Sequence, residues 1–116
     1  MKKMTPKEQT ISLQMERFFL GNGEASIPEL VERHWDINIE RDRKEDYAFY
    51  EKKTRRILGT VRSHLLKMDG DKTRMRRLLG GVGKLWLMAT HKGDKNDRFP
   101  WARKYKIVCT PKDEEI

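Results

Sequence analysis

The stretch YEKKTRRILGTVRSHLLKM, residues 50–68, decides the fold of this chain. At about 100° per residue, the apolar side chains in and just before it fall within a sector of about 100° on a helical wheel. These core-facing residues are Tyr47, Tyr50, Thr54, Ile57, Leu58, Val61, Leu65 and Met68. The pattern predicts a helix from about residue 44 to residue 68, which Asp69-Gly70-Asp71 ends with a turn.

The opposite face of this helix carries basic side chains around a glycine. Its members are Lys52, Arg55, Arg56, Gly59, Arg62, Ser63 and Lys67. A mid-helix glycine costs close to ~1 kcal/mol relative to alanine, and it lets another surface approach the backbone. Arginines beside it can contact guanine edges or phosphates. The competing interpretations are that Gly59 is neutral drift or a helix-packing point, and that the charges are an ordinary solvated surface.

Positive charge is concentrated in one part of the chain. Of 116 residues, 26 are Lys or Arg and 18 are Asp or Glu, which gives a formal net charge of +8. Residues 1–40 carry a net −2, residues 41–110 a net +12 and residues 111–116 a net −2. Clustered basic charge is typical of surfaces that bind nucleic acid, although many small basic domains bind nothing acidic.

Length and composition favour one small domain over residues 1–116, with residues 1–4 and 111–116 as flexible tails. No apolar run approaches the ~20 residues of a membrane span, and no apolar segment of a signal peptide follows the first lysines. Cys109 is the single cysteine, so an intrachain disulfide is excluded. These features predict a cytoplasmic protein that does not enter a membrane.

Two helices are predicted before residue 44, each opened by a capping box that contains proline. The boxes are Thr5-Pro6-Lys7-Glu8 and Ser26-Ile27-Pro28-Glu29. The first helix ends at Gly21-Asn22-Gly23, residues that tolerate the left-handed conformation of a helix terminus. The second ends near Trp35, and Asp36 to Arg43 is either a loop or a short extended piece.

Two strands are predicted near the C-terminus, KLWLMAT at 84–90 and KYKIVCT at 104–110, after a short helical turn in KTRMRRLLGG. The polar loop between the strands makes a projecting hairpin with a basic tip. Its cations are Lys92, Lys95, Arg98, Arg103 and Lys104. Phe99 and Trp101 either fold back to brace the hairpin, contact a dimer partner, or insert against bases.

This order of two helices, a long basic helix and a basic hairpin resembles the winged helix-turn-helix family over about residues 5–110. The resemblance implies a mainly α fold with a small β-hairpin (α+β): three helices plus a C-terminal two-stranded wing. It implies that the third helix, about 46–68, enters the DNA major groove while the wing, 91–103, touches the backbone or minor groove. The chain departs from the family in its long connection 36–43. Gly23-Glu24-Ala25 also leaves little room for the small strand that the family often has between its first two helices.

Other chemistry finds little support in the sequence. GGVGKL at 80–85 departs from the Walker pattern at Leu78 and Leu85. His34, His64 and His91 are scattered, without the spacing of a zinc site, and no acid/base pair is recognisable. We therefore expect no enzymatic activity, no cofactor and no metal, and we expect Cys109 to be a small buried apolar residue.

The expected function is that of a small transcriptional regulator that binds double-stranded DNA, with a homodimer on two half-sites as a common arrangement. One alternative is a protein-interaction module that docks on acidic surfaces of the transcription or replication machinery, with Phe99 and Trp101 as anchors. Another is RNA or single-strand binding, with Trp86, Phe99 or Trp101 stacked on bases.

Overall fold

The computed structural model describes residues 4–67, 76–80 and 85–109. The elements follow in the order α1 (Pro6–Leu20), β1 (Ala25–Ser26), α2 (Ile27–His34), α3 (Lys44–Lys67), β2 (Leu85–Lys92) and β3 (Arg103–Cys109). Helices α1 and α2 pack on α3, and α3 packs on the sheet through β2. The α+β class predicted from the sequence is confirmed.

The first helix begins and ends as its sequence predicts. Asn22 takes the left-handed conformation with φ 67°. The amide of Gly23 then donates to the carbonyl of Phe18 at 3.0 Å, and that of Asn22 to the carbonyl of Phe19 at 2.9 Å. These two bonds make a Schellman motif. A Cβ at Gly23 would lie 2.6 Å from the Phe18 ring, so only glycine fits this close approach.

The two predicted capping boxes form to different extents. At α2 the box is complete: the Ser26 amide donates to the Glu29 carboxylate at 3.1 Å, and the Glu29 amide donates to the Ser26 hydroxyl at 3.4 Å. At α1 only half of it forms, since the Glu8 amide donates to the Thr5 hydroxyl at 3.2 Å. The Glu8 carboxylate is instead directed to α3, where an arginine holds it.

The sheet has three strands, so the predicted two-stranded wing was incomplete. Ala25 and Ser26 pair with Tyr105 and Lys104, which places β3 in the centre of the order β1-β3-β2. Both residues of β1 are fully buried, and Ser26 is at once the end of the strand and the N-cap of α2. A strand of two residues has no alternation to detect, and the sequence of this segment leaves little room for a strand.

The hairpin forms with strand ends that differ slightly from the prediction. Leu85 pairs with Cys109 and Ala89 with Tyr105, after which the register shifts and β2 continues to Lys92. The strand therefore runs two residues into the segment predicted as loop. Lys84 and Thr110, the outer ends of the predicted strands, lie outside the described residues.

Trp35 joins the end of α2 to the middle of α3 inside the core. Its indole Nε1–H donates to the Thr54 hydroxyl at 3.0 Å, and that hydroxyl donates to the Tyr50 carbonyl at 2.8 Å. The Trp35 and Tyr50 rings lie 5.0 Å apart. This contact fixes the angle between the two helices and therefore the direction in which α3 presents its outer face.

The segments around these elements are irregular where they are described. Residues 36–43 form bends and turns and no strand, with Ile37 buried in the core. Residues 76–78 are helical and Gly80 has φ 70°, in agreement with part of the predicted helical turn. The predicted turn 69–71 lies outside the described residues, as do Met68 of the predicted helix and residues 1–3 and 111–116 of the predicted tails. Met4 packs against the core.

Candidate nucleic-acid interface

Helix α3 has two flanks, and the first of them, the α1 flank, consists of Lys53, Arg56 and His64. The Arg56 guanidinium donates to the Glu8 carboxylate at 2.7 Å, and the Lys53 ammonium lies 3.9 Å from the same group. Glu8 has a side chain that is only 3% exposed. His64 contacts the largely buried Glu16 of α1. The contacts of this flank therefore stabilise the packing of α1 on α3.

The pKa of Glu8 shows that it is held as a carboxylate. Burial by itself would raise the pKa of Glu8, but the hydrogen bond and charge of Arg56, with help from Thr5 and Lys53, outweigh burial and lower it. Arg56, which we predicted on the outward face, is thus committed to an internal ion pair. The sequence could not show this, because Glu8 lies 48 residues away.

The second flank, the hairpin flank, consists of Tyr47, Glu51 and Arg55. Together with Trp101 and Arg103 of the hairpin it lines a cleft of about 320 Å³. Arg55 donates through Nε to Glu51 at 3.2 Å, an exposed pair one helical turn apart. Such pairs contribute only a few tenths of a kcal/mol, so the Arg55 guanidinium is available to a ligand.

The outward face between the two flanks remains basic and open. Lys52, Arg62 and Lys67 are exposed and form no ion pair with any carboxylate in the described ranges. A Cβ built on Gly59 meets nothing within 4 Å. The interpretation of Gly59 as a helix-packing point is therefore not supported within the described part of the chain. Ser63 is exposed and lies nearer α1, beside Leu13 and Ser12.

Two of the five predicted wing cations hold the hairpin against α2. Arg98 donates to the two oxygens of Glu32 at 2.8 and 3.1 Å, and Lys104 lies 3.6 Å from Glu29 and 3.3 Å from Asp97. Lys92, Lys95 and Arg103 are exposed and pair with no described carboxylate. The loop end of the hairpin is thus held on α2 and does not project freely as the sequence predicts.

Asp97 organises the loop at the end of the hairpin. Its carboxylate accepts from the Asp94 amide at 2.6 Å and from the Lys104 ammonium at 3.3 Å. The hydrogen bond from the Asp94 backbone and then Lys104 lower the pKa of Asp97 below its ordinary value. A Cβ at Gly93 would approach this carboxylate to 2.8 Å, which favours glycine at the start of the loop.

Phe99 and Trp101 have different environments, although the two rings lie only two residues apart in the sequence. Phe99 is buried at 3% exposure and braces the loop, as expected. Trp101 is 60% exposed, with its ring edge-to-face against Phe99 at 5.4 Å between centroids. The buried Phe99 packs against the Trp101 ring, which lines the cleft.

Tyr47 lines the cleft, although its place in the apolar stripe of the sequence predicts only a core residue. It is 9% exposed, lines the cleft, and has a buried hydroxyl with no hydrogen-bond partner among the described residues. Burial, with the nearby Glu51 and Glu32 carboxylates, raises the pKa of Tyr47 to about 12. The hydroxyl is therefore a permanent hydrogen-bond donor. The feature of the sequence that could indicate this role is the position of Tyr47 at the edge of an otherwise apolar stripe.

Two other kinds of feature, a metal site and a membrane-spanning helix, are absent from the described residues. Within the described residues, no group of three or more His, Cys, Asp or Glu side chains could hold a metal ion. No described helix combines the length and apolar character that crossing a bilayer requires. Cys109 is only half-buried, packed at the edge of the core rather than fully inside it.

No protein-family model, curated protein or solved structure matches this chain. The arrangement of side chains around α3 and the hairpin is therefore the basis for assigning a function.

Proposed function

We propose that this protein is a winged-helix DNA-binding protein that places α3 in the major groove of duplex DNA and the β2–β3 hairpin on the flanking backbone. The observation that carries the proposal is the convergence of two basic surfaces at one cleft. Arg55 of α3 and Arg103 of the hairpin line the same concavity. Lys52 and Arg62 continue the basic surface along α3, since they lie three and seven residues from Arg55 and residues at those spacings share one side of a helix.

The topology supports the same proposal. A short strand between the first two helices pairs with the last strand, and the winged-helix family often has such a strand. The helix pair α2–α3 is held by Trp35 and Thr54, and the hairpin is held to α2 by Arg98 and Glu32. A rigid frame of this kind keeps two contact surfaces at a fixed spacing, as docking on a duplex requires.

Binding would be driven by the cations that have no internal partner. Six of the predicted contact residues satisfy this condition among the described residues: Lys52, Arg62, Lys67, Lys92, Lys95 and Arg103. Each phosphate neutralised on B-DNA adds about −0.9 to the slope of log K against log salt concentration, so full engagement of the six gives a slope of roughly −5. A regulator of transcription is the simplest role for such a protein.

The test is the affinity for a random-sequence duplex and for a selected duplex, measured by fluorescence anisotropy across a salt series. We expect a steep salt dependence on both duplexes and tighter binding to the selected one. Affinity that barely responds to salt would overturn the proposal. Selection from a random duplex pool would supply the second duplex and show which bases, if any, are discriminated.

A second candidate function is docking on an acidic protein surface, and the exposed Trp101 favours it. Aromatic and arginine side chains dominate the energetics of protein interfaces, and Trp101 lines a cleft with two arginines. Binding to an acidic partner that survives nuclease treatment and is lost in Trp101→Ala would support this function. Duplex binding with the expected salt slope would favour the first.

A further inference from the structure

The cleft between α3 and the hairpin has the size and lining of a small-ligand site. Its volume is about 320 Å³, within the roughly 300–1,000 Å³ of typical ligand pockets. Ile27, Pro28 and Ile39 give it apolar walls, and Tyr47, Tyr105 and Trp101 add aromatic surface. Such sites are mostly apolar, with a few polar groups that fix the orientation of the ligand.

The net positive charge of the cleft suits a phosphate group. Arg55 and Arg103 contribute two positive charges and Glu51 one negative charge. Glu51 accepts only the Nε–H of Arg55, and a guanidinium has five N–H donors in all. Arg103 pairs with no described carboxylate. Two guanidinium groups from different elements therefore line one cleft with unused donors, and such groups bind phosphate through paired N–H donors.

Trp101 presents an aromatic ring beside these cations. It is 60% exposed, and its edge-to-face contact with the buried Phe99 leaves most of the ring open. An exposed indole is a stacking platform, and base–aromatic stacking contributes about 1–3 kcal/mol per base. Aromatic and phosphate-binding groups thus meet in one place.

The Tyr47 hydroxyl is a second, independent sign of a ligand. Its oxygen is buried without a hydrogen-bond partner in the described structure, in a side chain that lines this cleft. Buried polar groups are nearly always paired, so an unpaired one calls for an explanation. A polar atom of a ligand seated in the cleft would satisfy it once the wall of the cleft shifts to expose this solvent-shielded oxygen.

We propose that this cleft binds one nucleotide unit, with the phosphate held by Arg55 and Arg103, the base stacked on Trp101 and a polar atom bonded to Tyr47. The inference rests on the proposed function only in taking nucleic acid as the natural partner. The nucleotide belongs either to a nucleic-acid chain or to a free nucleoside monophosphate, since the chemistry recognised is the same.

The test is a titration of the full chain with deoxyadenosine monophosphate, deoxyadenosine and inorganic phosphate, followed by amide chemical shifts and tryptophan fluorescence. We expect the nucleotide to bind at least tenfold more tightly than either fragment and to perturb the amides around Tyr47 and Trp101. Trp101→Ala should weaken it at least fivefold, in line with the stacking contribution. Arg103→Gln should weaken it about tenfold, as loss of a charge-assisted bond does.

Tyr47→Phe is the sharpest variant, because it removes one oxygen that has no partner in the protein. It should leave the thermal midpoint unchanged or slightly higher while nucleotide binding falls severalfold. Trp101→Phe keeps a ring and should retain most of the binding, which guards against misreading a folding defect. Nucleotide binding no tighter than phosphate binding, or unaffected by Trp101→Ala and Tyr47→Phe together, would overturn the inference.

Matched controls separate this inference from the proposed function. Lys52→Gln with Arg62→Gln should weaken duplex binding and leave nucleotide binding within twofold. Nucleotide binding without duplex binding would reject the proposed function and keep the cleft site, and the reverse result would reject the cleft site alone.

A single-stranded trinucleotide that competes at least tenfold better than the monophosphate would identify a nucleic-acid chain as the source of the nucleotide. Equal competition would identify the free nucleotide.

Discussion

The two flanks of α3 carry similar cations and use them for different purposes. Arg56 on the α1 flank and Arg55 on the hairpin flank have side chains 47% and 57% exposed, so exposure does not distinguish them. Their carboxylates do: Glu8 is 3% exposed and Glu51 is 33% exposed. A cation bound to a buried carboxylate is committed to the fold, whereas one bound to an exposed carboxylate stays available to a partner.

The largest expected effect is on DNA binding and tests the open face between the flanks. Replacing both Lys52 and Arg62 with glutamine should lower duplex affinity about 30- to 100-fold near 0.1 M salt and reduce the salt slope by about two. The unfolding free energy should change by less than about 0.5 kcal/mol, because both side chains are exposed and unpaired within the described structure. Anisotropy across a salt series and urea denaturation measure the two quantities.

The matched control for this double variant is Lys53→Gln with Arg56→Gln, which removes the same charge from the α1 flank. It should lower the salt slope by much less than the first pair does. Equal losses of affinity from the two pairs would mean that net charge alone drives binding and that the flanks do not differ.

The second effect is on stability and tests the ion pair between Arg56 and Glu8. Arg56→Gln leaves the buried Glu8 carboxylate with the Thr5 hydroxyl and the more distant Lys53. It should cost roughly 2–3 kcal/mol, somewhat below the usual figure for removing one partner of a buried ion pair because Arg56 is half exposed. Arg55→Gln is the control and should cost less than about 0.5 kcal/mol. Urea denaturation of the two variants measures this, and equal costs would refute the assignment of the flanks.

Most of the fold could be predicted because its signals are local. The apolar stripe of α3, the glycines and asparagine after α1, and the Ser26 capping box each fall within one or a few turns of chain. The third strand was missed because Ala25–Ser26 is stabilised by pairing with Tyr105 and Lys104, about 80 residues away. A contact of that range leaves no pattern in two residues.

The basic residues of α3 and the hairpin can be read from the sequence, but the partner that each charge takes in the fold cannot. The residue types on α3 and the hairpin were identified, yet nothing near Arg56 or Arg98 in the sequence shows that Glu8 and Glu32 would bind them. Tyr47 was assigned to the core by its position in the stripe, which is correct for its ring and incomplete for its hydroxyl. Long-range pairing of charges depends on the packed fold.

A third effect tests the frame that holds both flanks in position. Thr54→Val preserves shape but removes the acceptor of the Trp35 indole N–H and leaves it buried without a partner. The loss should be about 1–2 kcal/mol in unfolding free energy. Thr60→Val is a matched control, since this exposed hydroxyl also donates to the carbonyl four residues earlier; it should be nearly neutral. Comparable losses from the two valines would show that the Trp35 bond contributes nothing.

A fourth, smaller effect is the pH dependence that the α1 flank confers. The pKa of Glu8 lies below its ordinary value of 4.5 in the folded state. Its stabilising contribution is therefore fully present above pH 4.5 and is lost as pH falls through the lowered pKa. Urea denaturation in steps from neutral to acid pH should show a shallower acid loss in Glu8→Gln than in the wild type. Identical slopes would show that Glu8 is not held as a carboxylate.

The smallest effect tests Gly59, on the open face between the flanks. Gly59 is helical, exposed and clear of any atom within 4 Å of a built Cβ. Gly59→Ala should therefore raise the unfolding free energy by about 0.5–1 kcal/mol. If a DNA groove approaches the backbone at this point, the same substitution lowers duplex affinity severalfold, and Gly59→Leu lowers it further. Stability and affinity then move in opposite directions, which a solvated face does not produce. If both alanine and leucine leave affinity unchanged while stability rises, Gly59 is neutral drift and the major-groove contact lies elsewhere on α3.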